Sequence, residues 1–206
     1  MQELESLFEI PTPIENLQLP DPELLNFYKD IKNRSLWVGD VDDSLLEYMK
    51  LILEWNREDI GKKSEERKPI KIHLFSYGGE VDSCFAFISL IKLSKTPIYT
   101  INMGMAASAG ALIFLAGHKK LAMDGSVILI HQGSGSITGT AGQISDANEA
   151  YNKVLDKMEK YILENTKIPK KTYIKMKKND WTILSDKFLE YGISDEIVSD
   201  IDSILA

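Results

Sequence analysis

Three kinds of residue in this chain suit hydrolytic chemistry: a serine set among small residues, a histidine closing a strand, and a surplus of carboxylates. The serine is Ser108, inside MGMAASAGALIFL at residues 103–115. Its neighbours Ala106, Ala107, Ala109 and Gly110 leave room for a second backbone to come close. The apolar run after it reads as a helix that opens at or just beyond Ser108. A helix start turns unpaired N–H groups and the positive end of its dipole toward a bound group. A nucleophile whose product carries an oxyanion needs that setting. The same residues also suit a plainer role, a buried helix packed through small side chains with the Ser108 hydroxyl as its cap.

A serine becomes a nucleophile only with a base in reach. The chain has three histidines. His118 lies ten residues after Ser108, which along a straight helix is roughly 15 Å away. His73 falls inside a strand, on the face shared with Lys71 and Phe75. Sites on open α/β sheets gather at the carboxyl ends of strands. His131 stands at such an end, after VILI and before a Gly/Ser/Thr-rich run, and is the best candidate for the base. A strand-end histidine bonded to a backbone carbonyl is the alternative. The carboxylate that would orient the histidine is not fixed by spacing, and Glu80, Asp124, Asp146, Asp180 and Asp186 all remain open. Gly78 and Gly79 close another strand at the same edge, where bare N–H groups can approach a ligand. No phosphate-binding glycine motif, HExxH or CxxC is present, which argues against a nucleotide cradle or a metal site.

The elements that must position these residues alternate. Strands are expected at 35–38, closed by Gly39, and at 70–75, 98–101, 120–123 and 127–130. Helices are expected at 24–31, 43–57, 81–93, from Ser108 onward, and at 144–164, 169–176 and 184–191. Alternation of this kind implies an α/β domain with parallel pairing. Residues 1–22 carry four prolines and no period, and read as an N-terminal arm ahead of one domain at 23–206. The 206 residues suffice for one sizeable core. A net charge of −7 argues against a nucleic-acid partner. One cysteine, Cys84, excludes an internal disulfide and fits a reducing compartment. No apolar run is long enough to span a membrane, and the acidic N-terminus is unlike a secretory leader, so the expected location is cytoplasmic.

Three segments together resemble the proteolytic subunit of the Clp protease, ClpP. SYGGEV at 76–81 is similar to that family's Ser-Pro-Gly-Gly turn, MGMAASAGA at 103–111 to its nucleophile motif, and ILIHQ at 128–132 to its Met-Ile-His-Gln. FLEYGISDEI at 188–197 resembles the family's Tyr-Gly ending. The resemblance spans roughly residues 35–201. It implies a crotonase-like ββα superhelix in which residues 144–164 form a protruding handle helix. It implies Ser108 as nucleophile, His131 as general base and Asp180, eleven residues before Tyr191, as the orienting carboxylate. Backbone N–H groups of Gly79 and Ala109 would form the oxyanion hole, and Gly78, Glu80, Gln132 and Gly133 would line the substrate. No cofactor is implied. The implied partners are unfolded polypeptide substrates, further copies in a heptameric ring and an AAA+ unfoldase. Departures are Tyr77 and Gly133 in place of prolines, and Asn179 where the family carries an arginine that helps join two rings. A ClpP-like maturation protease of phage capsids, acting without an ATPase, is the alternative that such divergence suggests.

Overall fold

The structure is a computed structural model and describes residues 21–134 and 136–205. The chain falls into two units, residues 1–33 and 34–206. Of the first, the described part is helix α1 (Pro22–Asn33), where Asp21 accepts the Glu23 N–H at 2.9 Å in the manner of an N-cap. The expected arm lies outside the described residues except for Asp21 and Pro22.

The second unit alternates as expected. β1 (Ser35–Val41) leads to α2 (Leu45–Glu58), β2 (Ile70–Gly79) to α3 (Val81–Leu93), and β3 (Ile98–Ala107) to the short helix α4 (Ala109–Phe114). β4 (Lys119–Met123) and β5 (Val127–Ile130) follow, then the long α5 (Ala141–Glu164), α6 (Lys170–Met176), β6 (Trp181–Leu184), β7 (Glu196–Val198) and α7 (Asp202–Leu205). The strands form a mixed α/β sheet in the order β1-β2-β3-β4-β7, all parallel. β5 pairs with the far end of β3, and β6 joins β5 antiparallel.

Residues 70–74 of β2 are buried on both faces, not on the one face that their alternation suggests. Ile70, Ile72 and Leu74 are fully buried, as are Ile52, Phe87 and Ile91. On the other side, His73 stacks on Trp37 with ring centroids 4.3 Å apart, and the Lys71 ammonium reaches the Leu205 carbonyl. Covering both faces is what a parallel sheet demands.

Three expectations are corrected. Gly39 does not close β1, which bulges between Val38 and Asp40 and continues to Val41. Residues 76–79 lie beyond the strand expected at 70–75. They extend β2, and Gly78 and Gly79 pair with Asp40 and Val41. Residues 184–191 are not one helix, because Leu184 ends β6 and a 3₁₀ turn (Ser185–Lys187) leads to Gly192 at φ +62°. The spacing misled because an exposed edge strand and a tight turn together mimic a short amphipathic helix.

β3 carries the switch that builds the site. Residues 99–102 pair with β4, and residues 105–107 pair with β5. Between them the Asn102 side chain donates to the Val127 carbonyl at 3.0 Å and accepts the Gly104 N–H at 3.0 Å. Gly104 takes φ +146°, with the Phe75 ring 3.1 Å from where a Cβ would stand, so a glycine is required at this bend.

Candidate active site

Ser108 sits where β3 turns into α4. Its backbone takes φ +54°, ψ −123°, a rare conformation for a residue with a side chain. Such strain costs about 1–3 kcal/mol and persists where surrounding structure enforces it. The enforcing contacts are visible. The Ser108 N–H donates to the Leu129 carbonyl at 2.9 Å, and its own carbonyl accepts the Ala111 N–H at 3.0 Å. A Cβ on Gly78 would fall 2.7 Å from the Ser108 Cβ, so β2 presses against the serine through a position that only glycine fills. The small residues read from the sequence serve this approach, and Gly110 likewise abuts Ser76.

The hydroxyl of Ser108 makes no capping hydrogen bond, so the plain capping role is not the one seen. Instead the serine lines a cavity of about 180 Å³ with His131, Gly79, Ala109, Gln132 and Gly133. Leu112, Val81, Val154 and Met158 give that cavity its apolar side. Gly78 and Glu80 stand off its wall. Gly78 packs behind the serine, while Glu80 donates its N–H to the Val41 carbonyl at 2.6 Å and accepts from the Ser83 hydroxyl at 3.0 Å.

His131 is brought to the serine by the β3–β5 register, in which Ala107 lies opposite Leu129. Its Nε2 is buried and has no hydrogen-bond partner among the described residues. Its Nδ1 lies 3.6 Å from the Asp180 Oδ1, and the Asp180 side chain is 76% exposed. The β5–β6 ladder explains this meeting. Ile130 pairs with Trp181, so the next residue of each strand, 131 and 180, follow side by side. Of the five carboxylates left open by spacing, Asp180 is the one this ladder places beside His131. Glu80 is used by Ser83, and the Asp124 carboxylate accepts the Gly125 N–H at 2.9 Å. His118 is also accounted for, because its Nδ1 accepts the Ile98 N–H at 3.0 Å.

The helix behind the serine is locked from beneath. The Cys84 thiol donates to the Ala109 carbonyl at 3.3 Å, and the Tyr161 hydroxyl donates to the Leu112 carbonyl at 3.1 Å. Burial pushes the thiol up to about 12, so Cys84 stays protonated and inert. The residue that sequence reasoning missed is Tyr151 of α5. It appeared only as part of a helical stripe, yet its hydroxyl donates to the Gln132 carbonyl at 2.8 Å beside the imidazole.

A strained serine at a strand-to-helix turn lines one cleft with a histidine that stands beside a carboxylate, and hydrolases that act through an activated hydroxyl use groups of these kinds. The comparisons narrow this to one family. The family model described as Clp protease matches residues 60–200. "ATP-dependent Clp protease proteolytic subunit 2" of Treponema denticola is 36% identical over 132 residues, 63% of this chain and 66% of that protein. The protein of the same name in Treponema pallidum is 32% identical over 133 residues, 64% of this chain and 67% of that protein. The chain thus spans about two thirds of the length of these curated relatives. A mutant of ClpP1 from Listeria monocytogenes has the same fold, with a TM-score of 0.73 over 87% of this chain and 99% of that one, at 24% identity. The chain belongs to the Clp protease family, a family of peptidases. No helix among the described residues is long and apolar enough to cross a membrane.

Proposed function

We propose that the chain is a serine endopeptidase in which Ser108 attacks the scissile carbonyl, His131 takes its proton and Asp180 orients the imidazole. The observation that carries this reading is the strained Ser108, its hydroxyl not used as a cap, sharing a cavity with His131, whose buried Nε2 has no hydrogen-bond partner among the described residues. With Nδ1 turned to Asp180, Nε2 is the nitrogen left to accept the serine proton and later deliver it to the leaving amine. The 3.6 Å separation tightens to hydrogen-bond length when substrate fills the cleft. The tetrahedral oxyanion forms beside the backbone N–H groups of Gly79 and Ala109, and one such donor is worth about 2.7–4 kcal/mol of barrier. Val81, Leu112, Val154 and Met158 suit an apolar substrate side chain next to the scissile bond.

The substrate is an unfolded polypeptide bound in extended form. Further copies of the chain complete the working particle as a ring, expected to be heptameric and fed by an AAA+ unfoldase. Exposed Trp37, Phe75 and Tyr77 on β1 and β2 are apolar surface of the kind that self-association buries. The test is cleavage of a short fluorogenic peptide and of casein by the wild type and by Ser108→Ala. Cleavage that disappears with the hydroxyl supports the reading, and cleavage that survives the substitution contradicts it.

A further inference from the structure

The β5–β6 pairing ends at Ile130, and the residues carrying the imidazole, 131–134, lie beyond it. His131 lines two cavities. One is the Ser108 cavity. The other, also about 180 Å³, is lined by Asn152, Asp156 and Glu159 of α5 with Tyr173 and Lys177. A side chain that borders two cavities depends on its backbone for its position. Among the described residues, the hydrogen bond that holds this backbone is the one from the Tyr151 hydroxyl to the Gln132 carbonyl, at 2.8 Å. Directly after it the chain turns at Gly133, φ +80°.

We infer that Tyr151 is a positioning residue: by tying the Gln132 carbonyl to α5, it sets where the His131 imidazole stands relative to Ser108. The inference rests on the protease reading. α5 is anchored at its C-terminal end, where Met158, Tyr161 and Ile162 are buried, while its N-terminal half is exposed behind a Thr140–Gln143 capping box. Tyr151 sits between these halves. Movement of the free half therefore reaches the imidazole through one hydrogen bond. A displacement of about 1 Å at a reacting group costs on the order of 100-fold in rate.

The test uses the full chain with Tyr151→Phe, which keeps the ring in the cavity wall and removes only the donor. Steady-state kinetics on a short peptide are read beside amide hydrogen exchange across residues 131–134. The expected result is a fall in kcat of about 10- to 100-fold with KM within about twofold, and faster exchange at 131–134 at an unchanged melting temperature. Val154→Ala, on the same wall but without the tether, raises KM and leaves that exchange alone. A wild-type kcat in Tyr151→Phe, a change in KM only, or a loss of kcat matched by a general loss of stability overturns the inference. A wild type that cleaves nothing while the exchange difference persists defeats the protease reading first. It takes the catalytic purpose of the tether with it.

Discussion

The two ends of the central strands are built on opposite principles. At the amino ends of β1, β2 and β3, buried charge is paired. The Arg34 guanidinium bonds both carboxylate oxygens of Asp59 at 2.6 and 3.2 Å, Glu58 at 2.8 Å and the Lys68 carbonyl at 3.0 Å. Asp59 also accepts from Thr96 at 2.9 Å and Lys62 at 2.7 Å. At the carboxyl ends, Ser108 is strained, the His131 Nε2 is unpartnered, and Asp180 stands in solvent. Arg34 shares the positive φ of Ser108, at +56°, yet there it serves a closed network. On the protease reading, these groups are left unsatisfied until substrate arrives, and the rest of the sheet holds them so.

The comparison breaks most sharply at the serine. Ser108→Ala should abolish peptide cleavage, by about a million-fold in kcat, with no loss of folding stability in denaturant titration. At the other end the order reverses. Asp59→Ala leaves Arg34 buried without its main partner and should cost about 3 kcal/mol in the same titration. A joint Arg34→Met, Asp59→Leu variant should recover most of that loss. Ser108→Gly sharpens the contrast, because relief of the positive φ should raise stability by about 1–2 kcal/mol while activity vanishes.

Acid separates the ends more gently. The Arg34 guanidinium first, with Lys62 and Thr96, holds the Asp59 carboxyl well below the usual carboxylate range. In the unfolded chain an aspartate takes up its proton near pH 4. The stabilisation is therefore complete above about pH 4 and declines as pH falls, and Asp59→Asn should flatten that decline. The smallest effect concerns Cys84, whose thiol at about 12 should resist alkylation at pH 8 until the protein is unfolded.

The carboxyl-end side of this contrast was legible in the residues, whereas the Arg34–Asp59 network was not, because its members lie 25 residues apart with no local pattern. The apolar runs of β2, β3 and β5 and the small cluster around Ser108 announce a parallel sheet with a close approach at its carboxyl edge. His131 was singled out by its place at a strand end, and the structure sets it on the Ser108 cavity. Asp180 did not follow from spacing, because its selection depends on an antiparallel ladder between β5 and a four-residue strand, and pairing partners leave no local mark. Tyr151 was hidden for a related reason. A tyrosine on a helical stripe looks like core until the carbonyl it meets is known. The β2 extension through Gly79 was read only in part: Gly78 and Gly79 were placed at a strand end, but the alternation that marks the strand stops at Phe75.

The central claim is that Ser108 is an activated hydroxyl. Exposure of the folded chain to a fluorophosphonate, followed by peptide mass mapping, addresses it directly. The account predicts one adduct, on the peptide containing Ser108, formed quickly by wild type and lost in His131→Ala. An unlabelled Ser108 in wild type, or labelling that persists without the imidazole, would contradict it.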